Sequence, residues 1–269
     1  MNLLVFKKYF RVLRTFVKAE LMTDLAYRVN FIIIFVGSLF WVIAELAFFH
    51  FLLLKYQAIA GWNYNQILLL VGVNQLWIGG CFYLIVWPSL TTYAEMIRTG
   101  GLDKILTLPI QTRFYISVFK FDWTSLTMML QGIIITIYAF TKMNAVFTIE
   151  RFIAFIALLV LSYWIVYCIQ FIVSSSTFWL TKAGSVQYVI SALDRVSRLP
   201  YEVLSKGILF VVFTLIIPVA IIGNIPARAL LGILDLEYLA YGVVSALMLT
   251  VVSHIIWKLG VRRYESASS

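Results

Sequence analysis

The chain has 269 residues, of which 62% are hydrophobic and 12% are charged, and its formal net charge at pH 7 is +9. Soluble domains carry about 25% charged residues, so a chain this poor in charge cannot cover a water-facing surface. The apolar residues stand in long runs, which excludes a soluble domain and indicates a single all-α, polytopic membrane domain over 1–269. The cations lie between these runs and form no block suited to nucleic acid.

The first predicted element is an amphipathic helix within 1–28. Four cations recur at helical spacing and share one face, whereas four apolar residues share the opposite face. The cations are Lys7, Arg11, Arg14 and Lys18, and the apolar residues are Val5, Tyr9, Val12 and Phe16. Such a helix lies in the membrane interface, with its cations towards lipid phosphate. The alternative is a basic tail that only follows the positive-inside bias.

Six apolar runs follow, and each is predicted to span the membrane as a helix. They cover 31–54, 67–90, 123–140, 152–180, 208–222 and 239–259. A span needs about 20 residues, so 123–140 and 208–222 are short and 152–180 is long enough to tilt. The segment 218–232 stays apolar but is broken by Pro and Gly. It indicates either a hairpin that re-enters the membrane or a kinked end of a span.

The distribution of cations predicts the topology. If both termini are cytoplasmic, 17 of the 21 Lys and Arg residues lie on the cytoplasmic side, including those of 91–122 and 181–206. The four that lie outside are Lys55, Lys142, Arg151 and Arg228. The positive-inside rule therefore favours six spans with both termini cytoplasmic. In 181–206, an apolar stripe predicts a second surface helix that ends at Pro200.

The most polar connection, 91–122, is predicted to carry a short amphipathic helix at the membrane surface. Gly100 and Gly101 permit a sharp turn before it, and Pro109 stops it. Asp103 stands near its start, where a carboxylate complements the helix dipole. Its apolar face consists of Leu102, Ile105 and Leu106. An ordinary loop helix that caps the bundle is the alternative.

Few polar side chains fall inside the predicted spans. Glu45 is costly in lipid, so it either lines a substrate path or pairs with a polar group on a neighbouring helix. The uncharged candidates are Asn74, Gln75, Gln131 and Gln170, which suit interhelical hydrogen bonds or a polar seam for an amphiphilic substrate. Cys81 and Cys168 lie in apolar runs as small hydrophobes. The sequence contains no phosphate-binding loop or zinc motif, so the chain is predicted to be no enzyme and to bind no cofactor or metal.

One motif carries a family resemblance. It is Arg98-Thr-Gly-Gly-Leu-Asp-Lys-Ile-Leu-Thr-Leu-Pro109, and it resembles the R-x-G-x-L-D-x-x-L-x-x-P signature of ABC-2 transporter permeases. Leu199-Pro200-Tyr201 and the spacing of Ile217-Pro218 and Ile225-Pro226 are also similar to the six-span branch of that family, which is encoded beside a second permease and a separate ATPase. The resemblance covers nearly the whole chain and implies a type V-like ABC exporter permease fold.

The resemblance also implies a mechanism in a bacterial inner membrane. Two permeases, more often different than identical, form the path, and an ATPase pair that holds ATP and Mg²⁺ docks on the cytoplasmic side. A coupling helix at 101–108 inserts into a groove of the ATPase. The coupling residues are Arg98, Gly101, Leu102, Asp103, Ile105, Leu106 and Pro109. The cargo of such exporters is amphiphilic, such as a lipid, glycan, drug or peptide.

Two other functions are alternatives to an exporter subunit. An ion-coupled secondary transporter would need intramembrane charges in several spans or an inverted repeat. A membrane scaffold without a transport path would need neither. An ATPase that stays bound after detergent extraction would favour the exporter over both.

Overall fold

The computed structural model describes residues 3–143, 147–180, 195–204, 207, 212–213, 218, 222–234 and 236–264. Within these residues the regular elements are helices, apart from one isolated β-bridge between Ile59 and Trp62. Five of the helical stretches are long and apolar enough to cross a membrane. They cover Arg28–Tyr56, Tyr64–Thr99, Trp123–Lys142, Ile149–Phe178 and Glu237–Arg263. The predicted all-α, multi-pass architecture is therefore confirmed, and five of the six predicted spans correspond to these helices.

We number the helices α1 to α11 in chain order. They are α1 Leu3–Ala26, α2 Arg28–Tyr56, α3 Tyr64–Trp77, α4 Trp87–Thr99, α5 Leu102–Leu106, α6 Thr112–Val118, α7 Leu126–Lys142, α8 Ile149–Ser175, α9 Tyr201–Leu204, α10 Asn224–Leu231 and α11 Leu236–Arg263. A π-helical segment, Ile78–Val86, joins α3 to α4 without a break. Short 3-10 turns precede α7 and follow α8.

The centre of the bundle is α3, which packs along α7. Its buried residues form an almost continuous run over 67–75, because other helices cover it on all sides. Glycines allow the two helices to approach closely: a Cβ added to Gly132 would lie 2.2 Å from the Leu76 nitrogen, and one added to Gly72 would lie 2.6 Å from Thr136 Oγ1. In lipid, where little hydrophobic force joins helices, such small residues allow the backbone contact that holds them together.

The two ends of the bundle can be told apart by their contacts. We call one of them the elbow end. It carries the connection 99–122, which we name the elbow, together with helix α1 and the carboxyl end of α11. There Tyr9 and Phe16 of α1 make edge contacts with Phe114 and Tyr115. The opposite end carries residues 57–63 and 232–234. The first four of the five long helices alternate in direction between the two ends. The fourth reaches the elbow end at Phe178, and the next described long helix, α11, starts at the opposite end. The fourth and fifth long helices therefore run in the same direction.

Residues 195–204 correct the predicted topology. Trp62, at the opposite end, donates its indole N–H to Glu202 over 2.8 Å, and Arg228 pairs with the same carboxylate. The prediction that 181–206 lies on the same side as 91–122 is therefore wrong for 195–204. The remainder of that connection and its predicted apolar stripe lie outside the described residues.

The physical reason for this error is an ion pair. The positive-inside count treats each Arg as a charge in an aqueous loop. Arg198, however, is bound inside the bundle, where its Nη1 lies 2.7 Å from Glu45 Oε2. A cation neutralised in this way carries little information about the side of the membrane.

The predicted fifth span, 208–222, lies mostly outside the described residues, but its flanks lie in the same half of the bundle. Glu202 contacts Trp62 at the opposite end, and a Cβ on Gly223 would meet the Asn74 side chain at 2.2 Å. Asn74 follows the first residue of α3 by ten residues, which places it about 15 Å below the opposite end. Residues 208–211, 214–217 and 219–221 lie outside the described residues, so the fifth span stays a prediction.

Helix α10 leads back from this depth to the opposite end. It packs against α8 and α3, and most of its residues are buried. It ends at Gly232, which has a φ of 73° and lies beside the Arg151 guanidinium. The described part of 218–232 therefore contains a buried helix that leads from mid-bundle to the opposite end, and the choice between the two alternatives depends on residues outside the described part.

Candidate functional site

The elbow, residues 99–122, connects the second long helix to the third. Gly100 caps α4 with a φ of 77°, a left-handed conformation that a side chain disfavours, so the predicted sharp turn is confirmed. Helix α5 follows at Leu102–Leu106, shorter than the predicted 101–108 because Thr107 already ends it ahead of Pro109. Helix α6 then runs back towards the bundle.

The predicted apolar face of α5 is divided between two environments. Leu102 and Ile105 are buried in the chain itself, at 0% and 4% exposure. Leu106 and Leu108 are 38% and 39% exposed, and Thr107 and Pro109 between and after them are exposed as well. Residues 106–109, the tip of the elbow, therefore present apolar side chains away from the bundle.

Helix α1 supports the elbow from the side. Lys8 donates a hydrogen bond to the Pro109 carbonyl, and the Gln111 N–H donates to the Tyr9 hydroxyl over 3.2 Å. Further along α1, Glu20 pairs with Lys120 at 3.1 Å. These contacts fix the tip and the second limb of the elbow, residues 110–122, to α1.

The carboxyl end of α1 is joined to the end of the elbow by Asp24. Its Oδ2 accepts the Trp123 N–H over 2.9 Å. Burial raises the pKa of the Asp24 carboxyl above its ordinary value, because the loss of water outweighs this hydrogen bond, which alone would lower the pKa.

The second limb of the elbow is hydrogen-bonded to the second long helix. The Asp122 N–H donates to the Leu84 carbonyl over 3.0 Å, within the π-helical segment. One turn on, Ser89 Oγ donates to the Lys120 carbonyl at 2.9 Å and accepts its N–H at 3.1 Å. π-Helical segments are frequent at functional sites. The second limb of the elbow is therefore hydrogen-bonded directly to the second long helix, at this segment and one turn beyond it.

The first limb of the elbow, residues 99–105, faces the carboxyl end of α11. Burial, together with the nearby Asp103 carboxylate, raises the pKa of Tyr264 to about 12. The Tyr264 hydroxyl therefore lies beside the side chain and backbone of Asp103. The Tyr264 ring also meets Phe178 edge-on at 5.9 Å, which joins α5, α8 and α11 in one cluster.

The other predicted coupling residues lie at the start of the elbow. Arg98 Nε donates to Glu95 over 3.0 Å on the exposed side of α4, and both side chains are about half exposed. An exposed pair of this kind contributes little stability. Gly101 lies against Met96 of α4. Arg98 therefore borders the elbow and Gly101 lies at its start, whereas residues 106–109 project from it.

The cations of α1 lie on its outer side. Lys7, Arg11, Arg14 and Lys18 are exposed, whereas Tyr9, Val12 and Phe16 are half-buried against the protein. Beside the cations, Phe6 and Phe10 are exposed apolar residues. The described residues thus follow the predicted division into two faces, with an added apolar flank; the Val5 side chain lies outside the described part.

A buried polar seam lies in the other half of the bundle. Glu45 and Arg198 are 10% and 12% exposed, and their pair connects α2 to the segment 195–204. Asn74 Nδ2 donates to the Ser197 carbonyl at 3.4 Å, and Asn224 Nδ2 donates to the Leu199 carbonyl. Four segments that are distant in the sequence therefore meet through polar groups.

The remaining predicted polar residues have separate positions. Gln75 lines a cavity of about 250 Å³ together with Trp41, Arg195 and Arg198. Gln131 Nε2 donates to Ser38 Oγ across α7 and α2 at 2.8 Å, whereas Gln170 bonds Ser174 within α8 at 3.4 Å. Arg198, the partner of Glu45, stands 153 residues later in the chain, and no spacing rule relates two such positions.

A family model described as ABC-2 family transporter protein matches residues 39–268, a range that includes the elbow and the polar seam. The chain belongs to the ABC-2 family. This confirms the resemblance of the 98–109 motif, and it makes the chain a permease, the membrane-spanning component of an ABC transporter. Helix α1 precedes the matched range. Comparisons with curated proteins and with solved structures find no significant match.

Proposed function

We propose that this ABC-2 permease is one half of the translocation path of an exporter and is driven by a separate ATPase pair that docks on the tip of the elbow. ATP and Mg²⁺ belong to that partner. The observation that carries the proposal is the tip, 106–109, where Leu106 and Leu108 are exposed on a short segment fixed to the rest of the chain. Exposed apolar side chains on a rigid, polar connection are typical of an interaction site.

The surroundings of the tip support force transmission in this proposal. The elbow is joined to α1 through Lys8 and Tyr9, to the π-helical segment through Asp122, and to α11 through Asp103. An ATPase that moves the tip would therefore move several helices together.

The six-crossing topology is part of the same proposal. Helix α1 and the carboxyl end of α11 both lie at the elbow end, which requires an even number of crossings. The described long helices supply five, and the chain also passes from Phe178 at the elbow end to Glu202 at the opposite end. In the proposed orientation the elbow end is cytoplasmic, and the membrane is the bacterial inner membrane.

A second permease is placed against α2 in this proposal. Few side chains of α2 are buried, and large apolar ones such as Phe40, Trp41 and Phe51 are exposed. Behind them lie the Glu45–Arg198 pair and the cavity of about 250 Å³. A path between two permeases along this face would bring an amphiphilic substrate past the polar seam. A heteromeric pair is proposed because the family branch that the motif resembles uses two different permeases.

The docking step is tested by replacing the exposed leucines of the tip. The double variant Leu106→Asp with Leu108→Asp places two charges where the ATPase groove is expected to take apolar side chains. Because both residues are exposed, the permease should still insert and fold. We expect at least about a tenfold loss of ATPase co-purification after detergent extraction, since two buried leucines contribute about 3 kcal/mol or more.

The matched control changes an exposed residue of the same segment away from the tip. Lys104→Gln alters the charge of α5 and leaves Leu106 and Leu108 in place, so ATPase binding should be retained. Leu102→Asp is unsuitable for this test, because Leu102 is fully buried in the permease itself. Wild-type ATPase recovery with the double aspartate variant would show that the tip is not the docking site.

A further inference from the structure

A cation of α6 lies among neutral groups at the elbow end. Arg113 donates a hydrogen bond from Nη2 to Ser253 Oγ at 2.9 Å, and its Nη1 is 3.4 Å from His254 Nδ1. Its guanidinium carbon lies 4.5 Å from the centre of the Phe171 ring. The groups around this charge are thus a hydroxyl, an imidazole and an aromatic face.

Arg113 differs in this respect from the other arginines held inside the bundle. Arg198 pairs with Glu45 and Arg228 pairs with Glu202, whereas no carboxylate pairs with Arg113 among the residues that the structure describes. A charge that is partly removed from water is costly unless an opposite charge accompanies it. The site therefore favours an anion.

A cavity of about 450 Å³ opens beside this guanidinium, between α6, α8 and α11. Pockets for small ligands have volumes of about 300–1,000 Å³. Hydroxyl groups from three helices line it together with Arg113, namely Ser117, Tyr167 and Thr250. Ser117 and Tyr167 are hydrogen-bonded to each other at 2.7 Å. A guanidinium fork with adjacent hydroxyl groups is suited to phosphate oxygens.

The cavity continues into an apolar surface. Exposed side chains recur at helical spacing from the cavity towards the opposite end, along both α8 and α11. They are Trp164, Val160 and Ile156 on α8, and Leu247 and Val243 on α11. An anion-binding group beside an exposed apolar surface matches an amphiphile that has an acidic headgroup.

We infer that this cavity binds one anionic phospholipid from the leaflet at the elbow end. The lipid phosphate lies at Arg113, and its acyl chains lie along α8 and α11. The cavity is separate from the polar seam, because α2 packs on α3 and α7 whereas the cavity is formed by α6, α8 and α11. The site therefore fixes α6, and with it the second limb of the elbow, to the surrounding membrane.

The test measures lipid binding to the purified full-length permease. Delipidated protein in detergent is titrated with phosphatidylglycerol or with phosphatidylcholine, and bound lipid is counted by native mass spectrometry. We expect Arg113→Gln to weaken the tightest phosphatidylglycerol site at least about tenfold, since the variant removes the charge-assisted hydrogen bonds of the guanidinium. Phosphatidylcholine binding should be unchanged.

Two further variants control for the loss of a positive charge at the elbow end and for the loss of the fold. Arg98→Gln removes the same charge from an exposed arginine at the same end, which already pairs with Glu95, and it should bind phosphatidylglycerol like the wild type. Arg113→Lys keeps the charge and should retain more phosphatidylglycerol affinity than Arg113→Gln. Retained binding by Arg113→Lys also shows that a substitution at this position leaves the permease folded.

Equal phosphatidylglycerol affinity for the wild type and for Arg113→Gln would overturn the assignment. The assignment would also be overturned if inorganic phosphate bound as tightly as the lipid in an Arg113-dependent manner. The site would then take a free anion, and the apolar surface of α8 and α11 would have no part in binding.

Discussion

The pair of Glu45 and Arg198 shows how a charge is tolerated inside this bundle. Each side chain alone would be costly in an apolar environment, and together they form a contact of 2.7 Å with exposures of 10% and 12%. The Trp41 ring lies 5.9 Å from the Arg198 guanidinium carbon and adds an aromatic face to the same cluster. The pair therefore holds the segment 195–204 against α2.

We expect Glu45→Gln to destabilise the protein, because Arg198 then loses this carboxylate while it stays buried. Breaking a buried ion pair costs about 3–5 kcal/mol. The measurement is the thermal unfolding of the detergent-solubilised permease. The double variant with Arg198→Gln is the matched control and should recover part of the loss, since neither charge is left. A single variant that unfolds at the wild-type temperature would show that the pair does not stabilise the fold.

At this scale the sequence predicted that Glu45 needs a special environment, because a carboxylate in an apolar run of 24 residues is unusual. It left open whether that environment is a path or a partner, and the structure provides a partner. Arg198 could not be identified, since the pairing depends on how distant helices pack. Arg113 was likewise counted among loop cations, and its position between α8 and α11 is a tertiary feature.

At the scale of elements, the contact between α3 and α7 depends on three glycines. Gly72 and Gly79 of the second long helix face Thr136 and Met128, and Gly132 of α7 faces Leu76. The backbones of the second long helix and α7 are therefore in close contact at these points. The π-helical segment begins at Ile78, within this contact, so the elbow is hydrogen-bonded to a segment that packs against α7.

We expect Gly132→Ala to lower the thermal stability by about 1–3 kcal/mol, because its Cβ would lie 2.2 Å from the Leu76 nitrogen and the helices would have to separate. Gly37→Ala, at an open position of α2 with nothing within 4 Å of the added Cβ, is the control and should not destabilise the fold. Thermal unfolding of both variants in one detergent provides the comparison. A Gly132→Ala protein as stable as Gly37→Ala would contradict the close contact.

The sequence predicted most of the elbow at this scale, and the reason is local chemistry. Gly100 fixed the turn and Pro109 limited the helix, so α5 was found within two residues at each end. Periodicity also placed Leu102, Ile105 and Leu106 on one face. It could not show that the bundle covers the first two and leaves Leu106 outside, since that depends on α4 and α6.

At the scale of the whole molecule, apolar length predicted the five described spans because lipid requires about 20 residues per helix. The predicted fifth span, 208–222, lies mostly outside the described residues and stays a prediction. The cation count failed at 195–204, because an internal carboxylate neutralises Arg198.

The elbow is a polar structure to which several helices of the bundle are joined. Helix α1 is hydrogen-bonded to it through Tyr9, and the π-helical segment accepts a hydrogen bond from its Asp122 N–H. At the end of α11, Tyr264 lies beside Asp103 of the elbow. In the proposed function, the ATPase docks on the side where residues 106–109 project. The sidedness of that projection is therefore the central claim.

Thiol labelling in intact cells tests it most directly. In a background without Cys81 and Cys168, Thr107→Cys is treated with a membrane-impermeant thiol reagent, and Ile233→Cys at the opposite end is the control. We predict that Thr107→Cys is labelled only after the cells are permeabilised, whereas Ile233→Cys is labelled from outside. Labelling of Thr107→Cys in intact cells would contradict the account.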